Sequence, residues 1–390
     1  MGLRGSIGRD SRVLIATVIG WGAAFLGIAL LSPLLPSIIQ SLSLSAFEAG
    51  VAMSLAWGLY AVGQFPGGRL SETASRKTVL IGSLALTTVG CLLLITTAST
   101  FLVFLLGTAV MGFGAGLYPS VGIAVVHDTY TSRRGQALGV LVASGDAAGM
   151  ISGLLAAGLI AVEVWQRAYL PVVGLLVLGT AVNHWWTVGD YGWPSSFDLS
   201  IRATLGRLFG TPRLRRETAA FLLWMFAFQA TISFLPTFLQ VEKGASVLLA
   251  GAGFALLWAV GIVVKPVAGR VGDRYGYLRV CGWTMAVSVV GLAALLVATE
   301  RWQLVVAIPL FAVGLLGTTP NVFAHVTSAM PDASVGGDVG ALRTVFFGVG
   351  SLGPVYVGYT TDLSSYTLAF AGLGVCLAMA ALIMVRLERA

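Results

Sequence analysis

Residues Gly68-Arg69-Leu70-Ser71-Glu72, near the end of one apolar run, are echoed by Gly269-Arg270-Val271-Gly272-Asp273 near the end of another, 201 residues later. Ala49-Gly50 pairs with Ala250-Gly251, Trp57 with Trp258 and Pro119 with Pro320 at the same spacing, and Leu35-Pro36 with Leu235-Pro236 at 200. A repeat of this length in a chain of 390 residues means two structural units of one design. Any solution for the fold must therefore pack a unit against its own copy.

The solvent for those units follows from composition. Hydrophobic residues make up 57% of the chain and charged residues 10%, and the mean hydropathy is +0.90. One soluble core cannot hide that much apolar surface, so the chain lies in lipid. Membrane barrel strands alternate apolar and polar residues, whereas this chain has long unbroken apolar runs, which predict helices. Twelve runs reach the roughly twenty residues a bilayer requires: near 13–38, 46–69, 78–97, 101–126, 135–161, 168–188, 218–240, 246–270, 279–298, 302–327, 339–361 and 366–386. The expected fold is an all-α integral membrane protein of twelve transmembrane helices in two pseudo-symmetric six-helix bundles. One bundle spans 1–188 and the other 218–390, joined by a linker at 189–217.

Lys and Arg set the orientation. With the N-terminus inside, 19 of them fall on inner segments and 3 on outer loops, Lys265 being left within a span. That bias predicts a multi-pass protein of the plasma membrane with both termini and the linker in the cytoplasm. It also accounts for the net charge of +7 without a nucleic-acid partner. The basic then apolar N-terminus reads as a retained first span, since its run is longer than a signal-peptide core. The linker offers one helical face of Ile201, Leu205, Leu208 and Phe209 and another with Arg202 and Arg207, a pattern for a helix on the inner membrane surface or for a soluble loop.

Several chemistries are disfavoured. Cys91, Cys281 and Cys376 lie in apolar runs without metal-ligand or disulfide spacing, and no metal site is expected. Gly112-Phe113-Gly114-Ala115-Gly116 lacks the preceding strand and following acid of a dinucleotide site. Gly145, Gly149 and Gly153 recur at four-residue spacing, which marks a close helix contact. No ATP-binding motif occurs, no cofactor is implied, and no catalytic constellation lies at matching depth, so the chain is not read as an enzyme.

The two copies of Gly-Arg-x-x-(Asp/Glu) resemble the loop between spans two and three of the major facilitator superfamily. Gly269, Asp273, Arg274 and Gly276 fit that pattern, while Gly68 is followed by Glu72, Thr73 and Ser75 where Asp, Arg and Gly are usual. Thr108 stands where the fourth span usually carries arginine, and Gly149-Met150 replaces the Gly-Pro of drug-proton antiporters. The resemblance implies a secondary transporter of two bundles rocking about a central site. It also implies a cytoplasmic gate in which Glu72 approaches the eleventh span near Arg343 and Asp273 approaches the fifth near Arg134, with Gly68, Arg76, Gly269 and Arg274 in the same motif.

Charge within the membrane is costly and seldom idle. Asp146 lies twelve residues past Arg134 and Lys265 eight before Asp273, about 18 and 12 Å deep at the helical rise. In the family this chain resembles, spans five and eight face each other, so the two side chains are expected near the interface. Three roles stand open for Asp146: proton coupling, binding a cationic substrate, or pairing with Lys265. Lys265 has its own alternative of snorkelling to the inner interface. Trp57, Gln64, Tyr118, Gln229, Trp258, Asn321 and His325 are candidate cavity residues for a small organic solute. The resulting expectation is a proton-coupled secondary transporter, functional as a monomer. Its alternatives are an organic-anion facilitator or exchanger anchored by Lys265, and a receptor that binds solute without moving it.

The orientation is directly testable. Cysteines introduced singly at Ser6 and Ser195, in a background without the native cysteines, are expected to resist an impermeant thiol reagent in intact cells; labelling from outside at either position overturns it.

Overall fold

The computed structural model describes residues 8–96, 100–130, 133–158, 164–193, 211–328 and 335–389. Fourteen α-helices lie among them. In the first half they are α1 Arg9–Ala29, α2 Leu31–Leu42, α3 Ala46–Thr73, α4 Arg76–Thr96, α5 Phe101–Thr129, α6 Arg134–Gly158 and, after a 3-10 turn at Trp165–Tyr169, α7 Leu170–Trp186. In the second they are α8 Pro212–Val241, α9 Val247–Tyr275, α10 Tyr277–Val297, α11 Arg301–Ser328, α12 Val335–Gly350, α13 Leu352–Leu363 and α14 Tyr366–Arg389. Eleven stretches are long and apolar enough to cross a membrane, and α12 with α13 makes the remaining crossing. All twelve expected spans are present, most of them running past the expected ends. The linker face of Ile201, Leu205, Leu208 and Phe209 lies outside the described residues.

Spans one and eleven are each broken once, for the same reason. Pro33 and Pro354 have no N–H to give to the carbonyls four residues earlier, at Ala29 and Gly350, and the helix ends on those residues before resuming. Within lipid such a break persists only where neighbouring helices cover it. Leu30 and Ser351 are both buried.

Close backbone approach holds each bundle together. A Cβ on Gly112 would sit 2.3 Å from the Ala56 carbonyl oxygen, and one on Gly116 would sit 2.2 Å from that of Tyr60. The glycine-rich run that superficially suggested a nucleotide site is therefore the seam between α5 and α3. Polar staples add to it within the first half: Tyr118 Oη donates to Asn183 Oδ1 at 3.1 Å, and Asn183 Nδ2 to Ala16 O at 2.8 Å.

The halves meet as their repeat requires. Ser32 Oγ donates to Ser233 O at 3.0 Å, and these two residues are 201 apart, so the pseudo-two-fold axis passes between them. Two further contacts flank the axis as a symmetric pair. A Cβ on Gly50 would meet the Pro354 carbonyl oxygen at 2.6 Å, and one on Gly251 would meet that of Gly153 at 2.7 Å. Both lie towards the face opposite the linker. On that face the Asp362 carboxylate, at the end of α13, accepts from Ala46 N and Phe47 N at 2.9 Å each. Ser45 and Glu48 complete a capping box there. Two donors orphaned at the start of α3 are thus satisfied by a residue of the other half, where the helix dipole also favours an anion.

Gly112→Ala is expected to destabilise the protein by about 1–3 kcal/mol, because the methyl group meets backbone that cannot yield. Gly82→Ala, with nothing within 4 Å of the added carbon, is expected to be neutral or mildly stabilising. Thermal unfolding of the two variants in one detergent checks both expectations.

Candidate functional site

Two polar bridges cross between the halves at their centre. Lys265 Nζ on α9 donates to Asp146 Oδ1 on α6. Arg343 Nε on α12 donates to Gln64 Oε1 on α3. Gln64 and Lys265 are 201 residues apart, so they are repeat mates, and each reaches from the second span of its half to the fifth span of the other. The Lys–Asp bridge neutralises itself. The Gln–Arg bridge leaves a full positive charge.

Aromatic rings join the bridges. Lys265 Nζ stands 5.8 Å from the Trp258 ring centroid. Phe25 packs 5.8 Å from Trp258 and 6.0 Å from Trp57, and Trp57 lies 5.5 Å from Tyr60, which is 5.7 Å from Phe347. The Arg343 guanidinium is 5.3, 5.4 and 6.0 Å from Phe347, Phe323 and Trp21, distances at which cation–π attraction operates. The glycine face of α6 makes room for this packing, since a Cβ on Gly149 would meet the Trp258 ring at 2.5 Å. Asp146 is 4% exposed and Gln64 fully buried.

Of the residues expected from sequence, Trp57, Gln64, Asp146, Trp258 and Lys265 come together here. The other four cavity candidates spend their polar groups inside one half. Tyr118 is tied to Asn183 as above. Gln229 Nε2 donates to Phe347 O at 2.9 Å, Asn321 Nδ2 to Ala268 O at 3.2 Å, and His325 pairs with Glu217 at 2.9 Å.

The expected gate differs in its contacts. Asp273 accepts from Tyr277 Oη at 2.7 Å and Arg134 Nε donates to Tyr130 O at 3.1 Å, so these two form no pair. Arg76 bridges to Asp128 and to Ala124 O within the first half, Arg274 lies 5.3 Å from the Tyr275 ring, Gly269 packs near Pro320, and Gly68 O accepts from Ser71 Oγ. The side chain of Glu72 is outside the described residues. Arg343 needs the largest correction. The eleventh span begins at Val335, not 339, so Arg343 stands eight residues inside it, about 12 Å deep, and does not mark its start. The available signal was the 201-residue offset, which makes Gln64 the counterpart of Lys265 and so calls for a partner on the eleventh span.

The comparisons agree with this architecture. "Probable nitrate/nitrite transporter NarK2" of Mycobacterium tuberculosis is 28% identical over 362 residues, 85% of each chain. "Multidrug resistance protein MdtG" of Serratia proteamaculans is 25% identical over 299 residues, 73% of this chain and 70% of that one. A crystal structure of a bacterial homolog to the human lysosomal transporter Spinster, in an inward-facing and unoccupied conformation, superposes with a TM-score of 0.82 at 15% identity, covering 99% of this chain and 98% of that one. Residues 17–354 match the family described as Major Facilitator Superfamily, and the chain belongs to that family as a secondary transporter in the membrane.

Proposed function

We propose that the protein moves a small solute across the plasma membrane by alternating access, with proton movement coupled through the Asp146–Lys265 bridge. The observation that carries this reading is one-sided closure. The halves are sealed by backbone contacts and by the Asp362 cap on the face opposite the linker. On the linker face Asp273 and Arg134 stand apart, each bonded within its own half. The Lys/Arg bias puts the linker and both termini in the cytoplasm, so the arrangement is closed outside. Rocking of the halves exchanges one set of contacts for the other.

Coupling rests on the bridge between α6 and α9. Lys265 holds the Asp146 carboxylate across the interface, and separating the halves leaves a buried carboxylate that is costly without its partner. Protonation removes that cost, so the proton and the conformation bias one another. Pairing with Lys265 argues against Asp146 as the anchor of a cationic substrate. Both bridges join the halves of one chain, and a monomer is the proposed working unit.

Asp146→Asn is expected to reduce gradient-driven accumulation in proteoliposomes to simple equilibration while substrate exchange continues. If Asp146→Asn still concentrates solute under an imposed proton gradient, the coupling role is wrong. Absence of any flux in the unmodified protein favours the receptor alternative.

Asp362→Asn weakens the cap on α3 by about 0.5–2 kcal/mol, the range for a carboxylate at a helix N-terminus. It is expected to raise the labelling rate of a cysteine at Ser54 by an external thiol reagent several-fold. An unchanged rate would count against this cap as part of the outer closure.

A further inference from the structure

We propose that Arg343 is the anchor for an anionic group on the transported solute, and that the substrate class is a small planar oxyanion, such as a carboxylate. This rests on the transport reading above and names the chemistry of its central site. The first observation is charge. Of the two symmetry-related bridges, only Gln64–Arg343 lacks a carboxylate. Among the described residues no carboxylate is bonded to Arg343, and the two buried acids are engaged elsewhere: Asp146 with Lys265, and Glu217 with Arg213 and His325. A cation at this depth is expensive unless something negative meets it.

The second observation is the donor inventory. Gln64 Nε2, Trp57 Nε1 and Trp258 Nε1 are buried N–H donors without a hydrogen-bond partner. Gln64 is the residue that contacts Arg343, and both indoles belong to the aromatic cluster that joins the bridges. Unpartnered buried donors are uncommon and call for an explanation. These three unpartnered groups are all donors, so a group made of acceptors complements them. A planar oxyanion meets that need, and the guanidinium fork recognises it through two parallel hydrogen bonds.

The third observation is the surround. Trp21, Phe323 and Phe347 stabilise the guanidinium through their π faces without neutralising it. They also lower the local dielectric, which strengthens an ion pair formed there. Because Arg343 touches Gln64 and Trp21 of one half and Phe323 and Phe347 of the other, an anion bound to it contacts both halves and senses their separation.

The test is binding to the purified full-length protein at constant ionic strength, read by thermal shift and tryptophan fluorescence. Probes are sodium nitrate for an inorganic oxyanion, sodium benzoate for an organic carboxylate, and tetraphenylphosphonium as a cation. Saturable binding of nitrate or benzoate is expected, and whichever binds identifies the source of the oxyanion. Arg343→Gln is expected to weaken it by about tenfold or more. Arg343→Lys, which keeps the charge and loses the fork, should fall between, and Arg301→Gln, at an exposed helix start, should match the unmodified protein. Binding of neither anion, binding of the cation alone, or an unchanged affinity in Arg343→Gln overturns the proposal. The anion panel on the unmodified protein decides the matter even where a variant fails to fold. Arg343-dependent binding of an anion that is never taken up by proteoliposomes would sink the transport reading and leave this site standing. Uptake of a cation by a protein that binds no anion would do the reverse.

Discussion

The structure depends on what a polar group costs in hydrocarbon. Backbone donors and acceptors must be satisfied within the segment that carries them, which forces helices. The same cost decides which side chains can stand at the interface of the halves. Lys265 and Asp146 are tolerated because each satisfies the other. Gln64 and Arg343 sit at the equivalent place across the pseudo-two-fold axis and solve the problem only in part. Two copies of one unit have therefore diverged at a single crossing, so that one bridge is neutral and its mate is cationic. That difference breaks the symmetry of the site while the packing around it stays symmetric.

Packing preserves the symmetry because it is made of backbone. The contacts Gly50 with Pro354 and Gly251 with Gly153 need only small residues, which let helix axes approach without a hydrophobic driving force. They hold on the face opposite the linker, where side chains also meet across the halves: Val355 N donates to Ser54 Oγ at 3.0 Å, and the Phe47 and Tyr359 ring centroids lie 6.4 Å apart. Asp362 adds direction. Its carboxylate caps α3, while the same offset in the other half falls in 159–163, outside the described residues. Closure on this face thus combines symmetric backbone contact with one charge–dipole contact.

Much of this was legible in the sequence and some was not, for identifiable reasons. The twelve spans and the two halves followed from apolar runs and the 201-residue offset, because lipid punishes any interruption. The Asp146–Lys265 contact was expected from two charges well inside their spans together with the facing of spans five and eight that the family resemblance implies. Tyr118, Gln229, Asn321 and His325 were expected at the cavity from depth, which says nothing of rotation about the helix axis. Each found a carbonyl, an amide or a carboxylate in its own bundle. Arg343 was read as a topology signal because its span was started four residues late, and four residues is a whole helical turn. The breaks at Leu30 and Ser351 were legible after all, in Pro33 and Pro354, once the carbonyl four residues upstream is followed.

The two bridges also suit different tasks in a rocking transporter. On the proposed coupling, a bridge that neutralises itself parts when its carboxylate takes up a proton, which would tie movement to an ion gradient. On the proposed anion site, a bridge left cationic is completed by the solute, which would tie movement to binding. Because Gln64 and Lys265 are repeat mates, both bridges cross the interface from equivalent positions and sense the same rotation of the halves. On these proposals, ligand and proton act on one coordinate at the two central bridges. Coupling between them needs no pathway of side chains beyond the rigid halves themselves.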